Sequence, residues 1–124
     1  TLEEITAIND RLVAEIRRAG GRVDGVYLCP HRPEDNCRCR KPNPGMLEDA
    51  ARDLGLDLAS SVLIGDAVSD ALAALAAGSR PALVRTGRGE EQWNGLDPEL
   101  RARVEVFPDL AAALAAFAPP TIVR

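Results

Sequence analysis

Two short apolar runs, SVLIGD at 61–66 and PALVRTG at 81–87, stand on either side of an alanine-rich stretch, SDALAALAAG at 69–78. Each run reads as a strand buried on both faces, as in a parallel sheet, and the stretch between them reads as a helix closed by Gly78. The rest of the chain keeps the alternation. TLEEITAINDRLVAEIRRAGG at 1–21 has Thr1 and Glu4 at capping-box spacing, Ile5, Ile8, Leu12 and Ile16 at helical spacing, and Gly20-Gly21 as a stop. VDGVYLC at 23–29 reads as a strand rich in β-formers. Pro44 opens a helix with Met46, Leu47, Ala50, Ala51 and Leu54 on one face, ended by Gly55. Beyond residue 87, RGEEQWNGLDPELRAR is a polar loop with a short helix beginning near Pro98, VEVF is a last strand, and a last helix starts at Pro108. Strands alternating with helices predict an α/β fold, a parallel sheet with helices on its faces. Ligands of such sheets lie beyond the carboxyl ends of the strands, which here are Cys29, Gly65-Asp66 and Arg85-Thr86.

At 124 residues the chain is one domain's worth. Aromatic residues make up only 3% of it, so the core must come from Ala, Leu, Val and Ile. No run approaches the ~18 apolar residues of a membrane span, and no signal segment opens the chain. The net charge of -4 argues against a nucleic-acid binder, although it leaves room for a local cationic pocket.

The loop CPHRPEDNCRCRKPNPG, 29–45, holds all three cysteines, the only histidine and the only lysine. Cys29, His31, Cys37 and Cys39 supply four ligands within eleven residues. Thiolate with imidazole suits Zn2+, and four protein ligands fill a tetrahedral shell, so the predicted site is structural. Clustered thiol ligands favour a reducing compartment, most simply the cytoplasm. Arg40 and Lys41 follow the last thiolate directly, so a metal that fixes the loop also fixes them. Fourteen of the fifteen Lys and Arg residues are Arg, which sets Lys41 apart. A compact ammonium approaches a carboxylate and a phosphoryl oxygen together where a planar guanidinium does not. Asp66 ends a strand and Asp70 lies four residues on, a spacing that in a helix turns both carboxylates toward one Mg2+ site. A helix cap supplied by Asp70 or Ser69 explains the same residues equally well.

CPHRPEDNCRCRKPNPGML, followed by VLIGDAVSD and LVRTG, resembles the haloacid dehalogenase-like (HAD, subfamily IIIA) phosphatases, and within them the heptose bisphosphate branch. The likeness runs from about residue 1 to residue 87, and the cysteine loop joined to RKPNPGM is its specific part. It implies a Rossmann-like sheet and Mg2+-dependent hydrolysis of a phosphorylated sugar through an aspartyl-phosphate. By position, Lys41 resembles the family's catalytic lysine, which steadies nucleophile and phosphoryl group. Asp66 and Asp70 match the family's acidic Mg2+ motif, Asp66 the surer ligand. Cys29, His31, Cys37 and Cys39 match its zinc loop, and Arg40 a contact to the sugar phosphate.

The family's nucleophile and its general acid/base lie in an Asp-x-Asp motif, and no Asp-x-Asp occurs in these 124 residues. With Thr1 as the start, the expectation is that residues 1–124 are the carboxy-terminal part of one HAD-like domain, with 29–39 as its zinc loop. The amino-terminal segment would then be missing, and the chain alone inactive. Histidinol-phosphate phosphatase is the runner-up within the enzyme class, and a zinc-stabilised module without chemistry is the alternative outside it.

Overall fold

A computed structural model of the protein describes residues 1–117. Helix α1 (Leu2–Arg18) opens with the expected capping box: the Thr1 hydroxyl accepts from the Glu4 N–H, and the Glu4 carboxylate accepts from the Thr1 amine. Helix α2 (Gly45–Leu54) ends on Gly55, whose φ of 66° is the left-handed turn that glycine adopts without strain. Strand β1 (Val62–Gly65), helix α3 (Val68–Ala77) and strand β2 (Arg80–Val84) then form a parallel crossover unit. Helices α4 (Gly89–Asn94) and α5 (Pro98–Arg101) lead into strand β3 (Glu105–Phe107) and helix α6 (Leu110–Phe117).

The sheet has the order β1-β2-β3, all parallel, with Ile64 opposite Ala82 and Leu83 opposite Val106. As the central strand, β2 is the best buried: Pro81 through Val84 are all inside. Leu83 packs with Ala71 of α3 and with Leu96 and Val104, while Val68, Trp93 and Leu100 close the cluster. Ala82 and Val84 lie on the other face of the strand and are buried too, so both faces are covered, as a non-alternating strand requires. Small residues on α3, Ala71, Ala73 and Ala74, let that helix lie close against the sheet.

Three readings need correction. VDGVYLC forms no strand: within the described residues, 23–29 enter no ladder, and Val26 and Leu28 stay exposed, so little apolar burial holds the segment to a sheet. Good β-formers are not enough without a neighbouring strand. The polar segment after residue 87 holds a second helix, α4, because its Trp93 joins the core cluster and its Gln92 side chain accepts from the Val68 N–H. The last helix begins at Leu110, after Asp109 has capped it through the Ala112 N–H, and not at Pro108. Helix α1 forms as expected, but no residue of it is buried, and Leu2, Ile5, Ile8 and Leu12 of its apolar stripe are exposed.

Candidate active site and metal loop

The four sulfur and imidazole ligands converge. Their donor atoms all lie within 4.8 Å of one another. Cys29 Sγ stands 3.5 Å from Cys37 Sγ and 2.8 Å from Cys39 Sγ, and His31 Nδ1 stands 3.7 Å from Cys29 Sγ and 3.1 Å from Cys39 Sγ. A tetrahedral zinc–thiolate shell has ligand edges of ~3.8 Å, so the set fits a Zn2+ ion after small shifts. Crowding alone splits the thiols. Hydrogen bonding to Cys29, then burial, pushes Cys39 up to about 12. Burial raises Cys37, but hydrogen bonds from Cys39, Cys29 and backbone outweigh it and bring that thiol down to about 7. A cation among them would favour the thiolate forms of Cys37 and Cys39 together. All three cysteines are free thiols.

The end of the loop is closed on itself before it meets the domain. The Asn43 side-chain amide donates to the Cys37 carbonyl at 2.9 Å, and the Asn43 N–H donates to the Arg40 carbonyl at 2.9 Å, closing a turn around Lys41. From that turn the Lys41 ammonium reaches Asp70 Oδ1 at 2.5 Å. Asp70 is 6% exposed, and its other oxygen accepts from the Ala67 N–H at 3.2 Å. The capping reading of Asp70 and the charge reading are thus both present in one carboxylate. Gly65 makes room for it: a Cβ there would fall 2.2 Å from Asp70 Oδ2.

Asp66 is held from the other side. One of its oxygens accepts from the Arg88 N–H at 3.1 Å, and that oxygen packs on Gly87, which turns at φ 62°. Among the described residues its second oxygen accepts no hydrogen bond. Arg40 turns back on the loop, its guanidinium donating to the His31 carbonyl at 3.4 Å. Between the loop and the start of α3 lies a cleft of about 360 Å³. Tyr27, Leu28 and Met46 form its apolar side, and Arg40, Lys41 and Ser69 its polar side.

Lys41 therefore meets the start of α3, where it pairs with Asp70 rather than with Asp66, while Arg40 lines the same cleft. Sequence reasoning missed the Arg88 N–H behind Asp66, because main-chain donors leave no mark on residue type. It also missed Tyr27, Met46 and Ser69 as cleft walls; Tyr27 is anchored by its hydroxyl to Asp53 at 3.0 Å. Gly65 was visible only as part of a Gly-Asp pair, although its lack of a side chain is what admits Asp70.

Comparison with known proteins agrees with this geometry. The HAD-hydrolase-like family profile matches residues 38–113. A D-glycero-beta-D-manno-heptose-1,7-bisphosphate 7-phosphatase of Neisseria meningitidis serogroup A is 37% identical over 110 residues, 89% of this chain and 59% of that protein. The enzyme of the same name from Pseudomonas putida is 40% identical over 111 residues, covering 90% of this chain and 62% of its own length. The crystal structure of D,D-heptose 1,7-bisphosphate phosphatase from Bordetella bronchiseptica, complexed with magnesium and phosphate, superposes with a TM-score of 0.80 at 40% identity. That match covers 90% of this chain and 62% of the solved one. The chain thus spans a little over half the length of these relatives. With the profile covering most of the chain, a parallel sheet flanked by helices and a likeness of that quality, the protein belongs to the HAD-like hydrolase family.

Proposed function

We propose that the protein serves a Mg2+-dependent phosphatase that removes a phosphate from a sugar bisphosphate of the heptose 1,7-bisphosphate type. The observation that carries this reading is the Lys41–Asp70 ion pair, whose lysine also lines the cleft beside the cysteine loop. The names of the relatives supply the substrate, and the magnesium and phosphate of the Bordetella structure supply the reaction class. Phosphoryl transfer asks a protein chiefly for positioning and for neutralising charge on the transferred group.

The residues divide the work as follows. Lys41, half-exposed and fixed by Asp70, offers its remaining N–H donors to the phosphoryl oxygens and to the carboxylate that attacks the phosphorus. Arg40 sits on the same wall and suits a second phosphate of the sugar through its planar fork. Asp66 offers a free oxygen to Mg2+, while Asp70 has one oxygen on Lys41 and the other on a backbone N–H, which makes Asp66 the better ligand. When bound there, Mg2+ would neutralise charge on the transferred phosphate. Cys29, His31, Cys37 and Cys39 would hold a structural Zn2+, and such thiolate ligands suit a reducing compartment such as the cytoplasm. Residues 29–39 form this loop within a single HAD-like domain, whose partner molecule is a small phosphorylated sugar and neither nucleic acid nor membrane.

The attacking carboxylate is not among these 124 residues, which contain no Asp-x-Asp. Phosphate release is therefore expected when the chain is joined to an Asp-x-Asp segment and given Mg2+, with the heptose bisphosphate hydrolysed faster than histidinol phosphate. The 124 residues alone are expected to release none. Metal-dependent turnover by the isolated chain would refute the assignment of the nucleophile, and a preference for histidinol phosphate would replace the substrate.

A further inference from the structure

All four metal ligands come from one eleven-residue segment, 29–39. An ion bound by so local a set fixes the internal shape of the loop, but it does not decide how the loop sits on the domain. Something outside the shell has to supply that orientation, because Lys41 reaches Asp70 only if the whole loop is aimed at α3.

Arg38 lies between ligands Cys37 and Cys39, and its side chain points away from them, onto α2. One guanidinium nitrogen donates to both oxygens of Asp49, at 3.0 and 3.2 Å. The other donates to the Gly45 carbonyl at 3.5 Å and stands 3.6 Å from the Glu48 carboxylate. The backbone repeats the tie: the Gly45 N–H donates to the Arg38 carbonyl at 2.9 Å, and a Cβ on Gly45 would fall 2.3 Å from that oxygen. Asp49 is also reached by Arg52 at 3.2 Å, a second cation on the same carboxylate from within α2. Helix α2 in turn packs on α3, the helix that carries Asp70.

We propose that Arg38 is a positioning residue: by clamping the metal loop to Asp49 of α2 it aims Lys41 at Asp70. The inference rests on the reading of 29–39 as a zinc loop and of Lys41 as its working end. The Arg38 side chain donates to Asp49 and the Gly45 carbonyl and to none of the four ligands, so its truncation is expected to leave the shell intact and free the loop to swing. The two guanidinium nitrogens reach different partners, Asp49 through one and the Gly45 carbonyl and Glu48 through the other, so the planar group sets direction as well as distance, and a lysine at position 38 keeps the charge without the direction.

The test uses the zinc-loaded protein and follows the Lys41 Cε resonance, identified by its loss in Lys41→Arg. Arg38→Met keeps the aliphatic stem and removes the fork. It is expected to bind one Zn2+ with an affinity lowered by no more than about tenfold, the smaller end of what contacts outside a metal shell contribute. The Lys41 signal is expected to move to that of an unpaired lysine. Asp49→Asn, which leaves the loop sequence untouched, should move it in the same way, the double variant no further than either single one, and Arg38→Lys only part of the way. An unchanged Lys41 signal in zinc-loaded Asp49→Asn or Arg38→Met overturns the proposal. So does loss of zinc in Arg38→Met while Asp49→Asn leaves the signal in place, because Arg38 would then build the shell and not aim it. Absence of zinc from the unmodified protein sinks the zinc reading instead, which keeps the two failures apart.

Discussion

The ion pair between Lys41 and Asp70 depends on an atom that is absent. With Gly65 as the residue before Asp66, the Asp70 carboxylate rests on bare backbone, and an alanine there would place a methyl 2.2 Å from Oδ2. That oxygen cannot retreat freely, since the Ala67 N–H and Lys41 hold the carboxylate at both ends. Gly65→Ala is expected to cost about 1–3 kcal/mol, as over-packing in a close-fitted site does. It should also break the Lys41–Asp70 pair. Urea unfolding together with the Lys41 Cε resonance checks both, and a variant of full stability with the pair intact would mean that Asp70 relaxes without cost. At this scale the sequence was most readable where residue types were rare. One histidine, one lysine and three cysteines in a single loop leave few alternatives, and the cysteine and histidine donors do lie within reach of one another. Alanine, glycine and backbone N–H groups carry no such label, so the room at Gly65 and the Arg88 N–H behind Asp66 became visible only in three dimensions.

Elements were legible in proportion to how much of their own stability they carry. Helix α1 has its capping box, acidic first turn and basic last turn written in consecutive residues. Helix α4 shares the acidic first turn but has no side-chain cap and no basic last turn, and owes its turns to Trp93 in the core and to Gln92 on Val68, partners 24 residues away in the second case. The segment 23–29 fails in the opposite direction, with suitable residues and no strand beside it. Helix α2 is the element on which a pH test bears. Hydrogen bonding from Arg38 holds the Asp49 carboxyl below the ordinary carboxylate range, against an opposing push from burial. A carboxylate whose folded value is depressed adds stability above its unfolded value and loses it as pH falls through the folded one. The stability difference between the protein and Asp49→Asn should therefore be constant near neutrality and shrink below roughly pH 4. Because Arg38 is well exposed, added salt should shrink it as well. A difference that grows on acidification would show that Asp49 is not the ionised partner of Arg38.

On the scale of the whole molecule, the metal loop and the sheet are built from different materials. The buried cluster of Ala71, Leu83, Leu96 and Val104 draws on α3, β2 and the chain before β3, and takes nothing from residues 21–44. Those residues contribute candidate ligands, turns and exposed charge, so apolar burial does little to hold them, and a bound ion would supply order that the core does not. Two units of such different origin should open separately. Stripping zinc with a chelator is expected to leave amide protection in β1, β2 and α3 nearly unchanged, while protection at 37–43 is lost and the Lys41 signal moves to that of a free lysine. Returning Zn2+ should restore both, and Mg2+ should not, since it prefers oxygen ligands in octahedral array to thiolates. If the sheet amides lost protection together with the loop, the loop would be part of the core after all. The three strands hold their register through β2, which is paired on both sides. That pairing is independent of any ligand on the loop, and it is why metal removal should disarm the cleft without dissolving the fold that carries it.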